Sequence, residues 1–480
     1  MTACSELDRT RTKIVATIGP ASCSRVQLTE LIHAGVNIFR LNMAHGTPAE
    51  HEKTVSLIRD ISQLLGLPVG ILVDLAGPKI RLGQLAQDPL ECQVGGRLDF
   101  VRGDSSSHAT ELVSTYPPLV DELNVNDSVM LADGTVSLVV EEKQHDRVRC
   151  RVVLGGVLRS RQGINLPGVS LSVPSLTDRD RANALWASGQ EIDFVGLSFV
   201  RQKSDVAELK SLLCKNSSQA MVVAKIEKPE ALERLDKIVG VADAVMVARG
   251  DLGVETEVSE MPIAQKRIIT TCNRMGRPVI VATQMLDSMQ HSSRPTRAEA
   301  TDVANAILDG ADACMLSGET AIGKYPLEAV KMMRRIMLAT EQSLRGMTLP
   351  DPGSIPIVDV HPITAATVYG AGQIAKRLQA KLVVVSTRSG VSALAKSSQR
   401  NFIPTVAVSD SQQTLRRISI FWGITALEDA PCLYGAELRA FINKWGKQDG
   451  CLEPGDRVVM VTGSGIMTGA HNQVVVHEVS

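Results

Sequence analysis

Short apolar runs recur along residues 13–317, and segments long enough to form a helix separate them. Unbroken runs of Val, Ile and Leu are typical of parallel strands that are buried on both faces. Eight such runs with helices between them predict a closed (β/α)8 TIM barrel, and an open doubly wound sheet is the alternative. The runs are residues 13–18, 36–42, 69–74, 194–199, 221–227, 243–249, 278–283 and 313–317.

Polar side chains stand at or just beyond the carboxyl ends of these runs. Barrel enzymes place their chemistry on that rim, whereas the interior of a buried strand does not normally carry charges. This placement therefore favours the barrel over the open sheet. The residues concerned are Arg40, Asn42, Asp74, Ser198, Lys225, Glu227, Arg249, Asp251, Thr283, Ser317 and Glu319.

Three of these rim residues predict a reaction centre. Lys225 and Glu227 are two apart in one predicted strand, so their side chains project from the same face, and the next parallel strand brings Asp251 beside them. Burying charges is costly unless they are paired or bind a metal, so a hard cation held by Glu227 and Asp251 is the simplest interpretation. A structural salt bridge is the alternative.

Residues 78–174 differ in character from the predicted barrel. Short alternating strands flank the hairpin signal Asp133-Gly134, so we expect an inserted β domain, a small β-barrel. It enters and leaves at the rim where the polar residues lie. That position is typical of a mobile lid that excludes water during a reaction, and a purely structural insert is the alternative.

A proline-rich stretch at residues 347–362 lacks helical periodicity and predicts a domain boundary. Residues 1–77 and 175–345 then form the barrel domain. Residues 346–480 alternate apolar runs with helical segments, which predicts a C-terminal α/β domain.

The turn at residues 387–392 follows the first strand of the predicted C-terminal domain and opens a helix. Backbone N–H groups at such a turn, together with the hydroxyls of Thr387, Ser389 and Ser392, are candidates to hold the phosphate of an effector. An ordinary helix N-cap is the alternative.

Composition gives no reason to expect nucleic acid or a membrane as a partner. The chain has 51 Lys and Arg against 52 Asp and Glu, and its pI is near 6.8. The first residues are polar and no later segment approaches the roughly 18 apolar residues of a membrane span, so we expect neither a signal peptide nor a membrane anchor. Nine cysteines without a Cys-x-x-Cys pair predict no zinc site, no disulfide framework and a cytoplasmic location.

Several segments together resemble the pyruvate kinase family and cover nearly the whole chain in one order. A single motif such as ARGD would be weak support, whereas the set is specific. The predicted barrel, insert and C-terminal domain also match that family's architecture. The segments are TKIVATIGPAS, RLNMAHG (40–46), DLAGPKIR (74–81), GINLPG (163–168), KIE (225–227), ARGDLGVE (248–255), ATQML (282–286), the run at 295–326 and the SGVSA turn.

The resemblance implies transfer of the phosphoryl group of phosphoenolpyruvate to ADP, with protonation of the enolate to pyruvate. Phosphoryl transfer depends on positioned positive charge rather than on covalent help. By the resemblance, Lys225 and Arg40 face the phosphoryl group. Glu227 and Asp251 are expected to bind Mg²⁺ or Mn²⁺.

The resemblance also implies the remaining substrate contacts. The N–H groups of Gly250 and Asp251 and the hydroxyl of Thr283 are expected to hold the substrate carboxylate. Many relatives carry a lysine before GxNLPG, whereas this chain has Gln162 preceded by Arg161, and which of the two contacts nucleotide stays open. The residues expected on the ADP or ATP side are Asn42, His45, Arg81 and Arg161.

A departure from the family pattern changes the expected cofactors. Many members bind K⁺ partly through a serine in RLNxSHG, and this chain has Ala44 there. Lys79 follows Asp74 where K⁺-dependent members have glutamate, so we expect its ammonium to supply internally the charge of the monovalent cation. We therefore predict activity without added K⁺.

Two other functions stay open at this point. A lysine on a barrel strand is also the Schiff-base nucleophile of aldolases, although Glu227 and Asp251 argue against that use of Lys225. A non-catalytic effector-binding paralogue is the second alternative. The resemblance further implies a homotetramer under allosteric control by a phosphorylated effector. The loop at residues 463–469 is short compared with the loop that binds fructose 1,6-bisphosphate in many eukaryotic relatives, so the effector is not identified.

Overall fold

Eight parallel strands close into a barrel in this computed structural model, which describes residues 10–169, 171–345, 360–432, 435–463 and 472–480. Each strand lies within one of the eight apolar runs, so the predicted (β/α)8 barrel is confirmed. The strands are Lys13–Thr17, Ile38–Asn42, Gly70–Asp74, Phe194–Leu197, Met221–Ile226, Ala244–Ala248, Val279–Ala282 and Ala313–Leu316.

Alternate residues of each barrel strand face opposite sides of the barrel wall. Leu72 and Met246 belong to an inner apolar cluster, while their neighbours Val73 and Val247 belong to the cluster that packs against the surrounding helices. Because both sides are buried, neither face requires polar residues, and the strands appear in the sequence as unbroken apolar runs.

The barrel helices begin and end at residues suited to those positions. Helix Pro48–Leu65 begins after Thr47, whose hydroxyl accepts from the Glu50 N–H, and ends at Gly66 with φ of 62°. The other helices of this region are Arg25–Ala34, Asp178–Ser188, Lys203–Lys215, Pro229–Glu233, Leu235–Val241, Arg249–Glu255, Met261–Arg274, Arg297–Leu308, Gly318–Ala321, Pro326–Arg345 and the 3₁₀ turn Asp287–Gln290.

The segment between the third and fourth barrel strands forms a second layer of β structure. We expected a small β-barrel, and the described residues form a six-stranded sheet with a separate two-stranded ribbon. Asp133 and Gly134, with φ of 54° and 84°, turn the predicted hairpin. The strands are Arg97–Val101, Glu111–Leu112, Ser128–Leu131, Val136–Lys143, Arg147–Leu154 and Ile164–Asn165, with Leu90–Cys92 and Gly156–Leu158 in the ribbon and one short helix, Leu119–Glu122.

The C-terminal part is an α/β unit built on a five-stranded sheet, as expected. It packs on the amino ends of the barrel strands, so closely that a Cβ added to Gly70 would lie 2.6 Å from Ser419 Oγ. Its strands are Leu382–Ser386, Thr405–Val408, Ile424–Leu427, Arg457–Thr462 and Gln473–Glu478, and its helices are Pro362–Arg377, Val391–Ser397, Gln412–Ile418 and Gly435–Gln448.

Two sequence predictions cannot be compared with this fold. The domain boundary near residue 346 and most of the loop at residues 463–469 lie outside the described residues. Among the residues that are described, none of the helices is long and apolar enough to cross a membrane.

Candidate active site

Lys225 lies at the centre of a cluster of charges at the carboxyl end of the barrel. Its Nζ is 3.1 Å from Asp74 Oδ1 and 2.9 Å from Glu227 Oε1, and it donates a hydrogen bond of 2.6 Å to Ser198 Oγ. Burial disfavours the charged form, but the carboxylates of Asp74 and Glu227 outweigh burial and raise the pKa of Lys225. The side chain is therefore an ammonium ion at neutral pH.

Asp74 joins this ammonium to a guanidinium. Arg40 places Nε 2.7 Å and Nη2 2.6 Å from Asp74 Oδ2, and its Nη1 donates to Thr17 Oγ1 at 3.1 Å. Burial works to raise the pKa of Asp74, but the positive charges of Lys225 and Arg40 prevail and lower it. One ionised carboxylate therefore fixes two cations side by side at the barrel mouth.

Glu227 and Asp251 lie close enough to repel each other. Glu227 Oε2 accepts a hydrogen bond of 2.8 Å from the Phe199 N–H, while Oε1 is buried and has only its ion pair with Lys225. Burial and the charge of Asp251 raise the pKa of Glu227 against the opposing effect of Lys225. A divalent cation would relieve that repulsion, so these two oxygen donors fit Mg²⁺.

The protein donors alone do not enclose an ion. In the described part of the chain, no group of three or more His, Cys, Asp and Glu side chains could hold a metal. A magnesium ion typically keeps only one or two protein carboxylates and completes its shell with substrate oxygens and water. The pair Glu227 and Asp251 matches that pattern.

Thr283, which has a strained backbone, is hydrogen-bonded to Gly250 beside this cluster. Thr283 has φ of 68°, which is rare for a β-branched residue, and its Oγ1 accepts a hydrogen bond of 2.7 Å from the Gly250 N–H. Arg249 stabilises this backbone because its Nη2 donates to the Thr283 carbonyl at 2.6 Å while Nη1 binds Asp302. A substrate carboxylate that takes the Gly250 N–H would have to displace the Thr283 hydroxyl.

Cationic side chains line a neighbouring cavity of about 470 Å³ on the inserted domain. Arg81 Nη1 donates to the Arg161 carbonyl at 3.1 Å, and Arg161 is exposed with φ of 67°. Gln162 Oε1 accepts a hydrogen bond of 2.7 Å from the Arg159 N–H, so this side chain closes its own turn. Of these two residues, Arg161 is exposed while Gln162 is committed to its own turn, and the nucleotide contact stays a prediction.

Asn42 and His45, which were also expected on the nucleotide side, lie at the end of the second barrel strand and on the turn after it. Asn42 ends a barrel strand and its Oδ1 accepts from the Ala44 N–H at 3.1 Å, while His45 is exposed on the following turn.

Lys79, the residue expected to replace K⁺, is exposed and lies in the crevice that Asp251 also lines. The cations paired with Asp74 are Arg40 and Lys225, so the expected location of Lys79 beside Asp74 receives no support.

The candidate effector turn is occupied by its own hydrogen bond. Thr387 Oγ1 accepts from the Gly390 N–H at 3.0 Å, and Gly390, with φ of 90°, begins the helix. Thr387 and Ser392 are buried whereas Ser389 is exposed. Gly390 is the N-cap residue and this helix has no side-chain cap hydrogen bond, so the Thr387 contact closes a turn rather than capping the helix, and the effector role of the three residues stays a prediction.

Sequence reasoning missed two charged residues in the crevice, Lys228 and Glu255. Their ion pair is 2.7 Å long and both side chains are buried. A signal was present, because Lys228 directly follows Glu227 and Glu255 lies one helical turn after Asp251.

A barrel with an ammonium, a guanidinium and three carboxylates on its carboxyl rim, faced by an inserted sheet, defines a TIM-barrel enzyme that acts on an anionic substrate. The barrel-domain model of pyruvate kinase matches residues 9–330, and the alpha/beta-domain model matches residues 365–477. The chain belongs to the pyruvate kinase family.

Individual relatives agree with the family assignment. The chain is 40% identical to the pyruvate kinase of Geobacillus stearothermophilus over 98% of its own length and 80% of that protein. It is also 40% identical to the pyruvate kinase of Mycobacterium intracellulare, over 98% of each chain. The crystal structure of a pyruvate kinase from Cryptosporidium parvum superimposes with a TM-score of 0.92 at 31% identity, covering 100% of this chain and 98% of that one. The chain is accordingly a phosphotransferase of glycolysis.

Proposed function

We propose that the chain transfers the phosphoryl group of phosphoenolpyruvate to ADP at the barrel mouth, with Lys225 and Arg40 as its principal cationic groups. The observation that carries this proposal is the buried Lys225 ammonium held between Asp74 and Glu227, with Asp251 beside them. A migrating phosphoryl group spreads negative charge over its oxygens, and preorganised cations in a site of low dielectric stabilise that charge.

Asp74 has a positioning role in this proposal. Its two oxygens hold Lys225 and Arg40 separately, so both cations are oriented before the substrate arrives. Arg40 presents a planar fork suited to phosphoryl oxygens, whereas Lys225 presents a compact charge. Neither cation has to reorganise during the reaction.

Glu227 and Asp251 would hold Mg²⁺, or Mn²⁺ in its place. When bound, such an ion supplies positive charge to the phosphoryl oxygens and to the enolate oxygen that is left behind. The N–H groups of Gly250 and Asp251 and the hydroxyl of Thr283 would hold the substrate carboxylate once the Gly250 contact to Thr283 opens. The side chains proposed for ADP and ATP are Asn42, His45, Arg81 and Arg161.

The aldolase alternative is disfavoured by the state of Lys225. Imine formation needs a neutral amine, and the carboxylates of Asp74 and Glu227 raise the pKa of this lysine despite its burial. We expect borohydride in the presence of pyruvate to leave Lys225 unmodified. Irreversible labelling of that residue would revive the aldolase.

A coupled assay for pyruvate from phosphoenolpyruvate, ADP and Mg²⁺ tests the function, and a matched pair of aspartates tests the metal. Asp251 follows barrel strand Ala244–Ala248 and Asp243 precedes it, so Asp243→Asn is the control for Asp251→Asn. We expect Asp251→Asn to raise the Mg²⁺ concentration for half-maximal activity by about tenfold or more. No pyruvate from the unaltered chain would point to the non-catalytic paralogue, and equal Mg²⁺ requirements in both variants would refute the metal assignment.

The assembly and location of the chain are further parts of the proposal. Family membership supports a cytoplasmic homotetramer under allosteric control by a phosphorylated effector. Light scattering during size-exclusion chromatography tests the tetramer. Titration of activity with sugar phosphates and nucleoside monophosphates tests the effector.

A further inference from the structure

A narrow crevice of about 30 Å³ separates the inserted sheet from the barrel rim beside Asp251. Besides Asp251, its lining includes three cationic side chains and one further carboxylate from the two sides of the seam. These residues are Lys79, Arg201, Lys228 and Glu255, with Asn165 on the side of the insert. Such a concentration of charge at a domain seam calls for an explanation beyond fold stability, because each buried charge is costly.

We propose that Asn165, Glu255 and Lys228 form a latch that sets the position of the inserted domain over the catalytic crevice. All three are positioning residues rather than catalytic ones. The effect of the latch on catalysis rests on the proposed function, whereas its effect on the position of the domain does not.

One contact of the latch crosses the seam, the hydrogen bond from Asn165 to Glu255, and the ion pair with Lys228 holds Glu255 on the barrel side. Glu255 Oε1 is 2.7 Å from Lys228 Nζ and accepts a hydrogen bond of 3.3 Å from Asn165 Nδ2. Glu255 and Lys228 are 5% and 8% exposed, so water screens their attraction only weakly. The second oxygen, Glu255 Oε2, is buried without a hydrogen-bond partner, and an unsatisfied buried oxygen is unfavourable for stability alone.

Asn165 connects this contact to the whole inserted sheet. Strand Ile164–Asn165 pairs with Ser128–Leu131, and the hairpin after that strand carries Gly134. A Cβ added at Gly134 would lie 3.7 Å from Val254 in helix Arg249–Glu255. The insert therefore contacts the same barrel helix at two successive residues, Val254 and Glu255.

The return connection of the insert is anchored separately. Arg201 donates from its two terminal nitrogens to the carbonyls of Leu171 and Val173. These bonds fix the peptide that leads back into the barrel and do not involve the sheet. In this proposal the inserted sheet turns about the connection at residues 171–173. The latch then sets how closely the sheet approaches the barrel rim.

The latch shares both of its barrel elements with the proposed metal ligands. Lys228 directly follows Glu227 at the end of a barrel strand, and Glu255 lies four residues after Asp251 in one helix. A change in the position of the insert that moves Glu255 or Lys228 therefore acts on the segments that carry Glu227 and Asp251. This coupling links domain closure to the arrangement of the reaction centre.

Electron spin resonance on the full chain without substrates tests the latch. Spin labels on exposed Cys214 and on a cysteine replacing exposed His145 report the distance from barrel to insert, with Cys4, Cys23 and Cys432 replaced by serine. We expect Asn165→Ala and Lys228→Met to broaden the distance distribution toward longer values. Lys210→Met is the control because it breaks a 2.6 Å ion pair with Asp243 at the opposite end of the barrel.

Kinetics on the same variants separate positioning from general damage. We expect Asn165→Ala, which leaves the ion pair intact, to raise the KM for ADP about fivefold with a smaller change in kcat, and Lys228→Arg to restore most of the wild-type distance distribution. Distributions identical to wild type in both Asn165→Ala and Lys228→Met would overturn the latch. A chain that shows the distance change but forms no pyruvate would refute the proposed function and leave the latch standing.

Discussion

Two buried aspartates hold pairs of cations at opposite ends of the same barrel. Asp74, at the carboxyl end, binds Arg40 and Lys225, while Asp193, at the amino end, binds Arg59 and Arg416. Both carboxylates are almost completely inaccessible to solvent. The two clusters use the same chemistry, so their differences show what makes one a reaction centre and the other a structural joint.

Both oxygens of the Asp193 carboxylate at the amino end accept directional hydrogen bonds. Asp193 Oδ1 accepts from Arg416 Nε at 3.0 Å, and Oδ2 accepts from Arg59 Nη2 at 2.6 Å and from the Ile71 N–H at 2.9 Å. Arg416 belongs to the C-terminal domain, so this carboxylate joins that domain to the barrel. Neither oxygen of Asp193 is left without a hydrogen bond.

The cluster at the carboxyl end is less completely satisfied. Asp74 Oδ1 and Glu227 Oε1 contact Lys225 at ion-pair distance but have no hydrogen bond of good geometry. The Lys225 ammonium donates its directional hydrogen bond to Ser198 Oγ and meets these two oxygens by charge alone, so each oxygen keeps capacity for a further partner such as a metal ion. Barrel enzymes keep function at this end and stability at the other, and here the same residue types serve both.

The largest effect that tests this comparison is on activity. Lys225→Met should lower kcat/KM for phosphoenolpyruvate by roughly a thousandfold or more, because the stabilisation of the transferred phosphoryl group is lost. Arg416→Met, the matched control, should retain kcat/KM within about threefold at a temperature where it stays folded. Calorimetry should still detect phosphoenolpyruvate binding to Lys225→Met. Near-normal turnover in that variant would contradict the role of the ammonium.

The next effect is on stability and should appear in the other cluster. Arg416→Met removes one of the two cations of Asp193 but leaves Arg59 and the Ile71 N–H, so we expect a loss of about 2 kcal/mol in the free energy of unfolding. Urea denaturation followed by circular dichroism measures it. If Arg416→Met unfolds at the wild-type urea concentration, Asp193 is not the joint between the domains.

A third effect concerns Lys396, a buried lysine near the C-terminal end of helix Val391–Ser397. Its Nζ donates to Asn401 Oδ1 at 2.8 Å, and burial, assisted by the charge of Arg11, lowers its pKa to about 7. The unfolded chain holds this proton up to a pKa of about 10.4. The unfolded state thus binds more protons between the two values, and the contribution of Lys396 to stability rises as the pH increases from about 7.

The melting temperatures of wild type and Lys396→Met measure this contribution. Their difference isolates Lys396 from the other titrating groups. We expect Lys396→Met to be the more stable protein at pH 7 and its advantage to shrink by pH 9. A difference that stays constant over this interval would show that Lys396 remains charged when folded.

The smallest expected effect is on the monovalent cation requirement. In a buffer free of K⁺, NH₄⁺ and Na⁺, we expect the chain to be active and KCl to change its rate less than about twofold, because the Lys79 ammonium supplies a local positive charge. Lys79→Glu should make the rate rise with KCl. A manyfold activation of the unaltered chain by KCl would refute the K⁺ independence.

Much of the fold and of the reaction centre could be predicted because the periodicity of apolar and charged residues within a strand indicates which of its faces are buried. The barrel strands are buried on both faces and therefore appear as unbroken apolar runs. The two-residue spacing of Lys225 and Glu227 placed them on one face, and the structure brings them within 2.9 Å of each other.

Contacts between domains could not be predicted in this way. Arg416 meets Asp193 across 223 residues, and Asn165 meets Glu255 across 90, where no sequence period records which surfaces dock. The location of Lys79 shows the same limit, because its distance from Asp74 depends on the path of the linker into the insert. The strained Thr283 and its support by Arg249 also depend on tertiary context.

A crystal structure of the chain with Mg²⁺ and oxalate, a mimic of the pyruvate enolate, tests the central claim most directly. The account predicts a magnesium ion bound by carboxylate oxygens of Glu227 and Asp251 and by oxalate, with the Lys225 ammonium facing the same pocket. A magnesium ion bound away from these carboxylates, or a Lys225 side chain turned out of the barrel mouth, would contradict it.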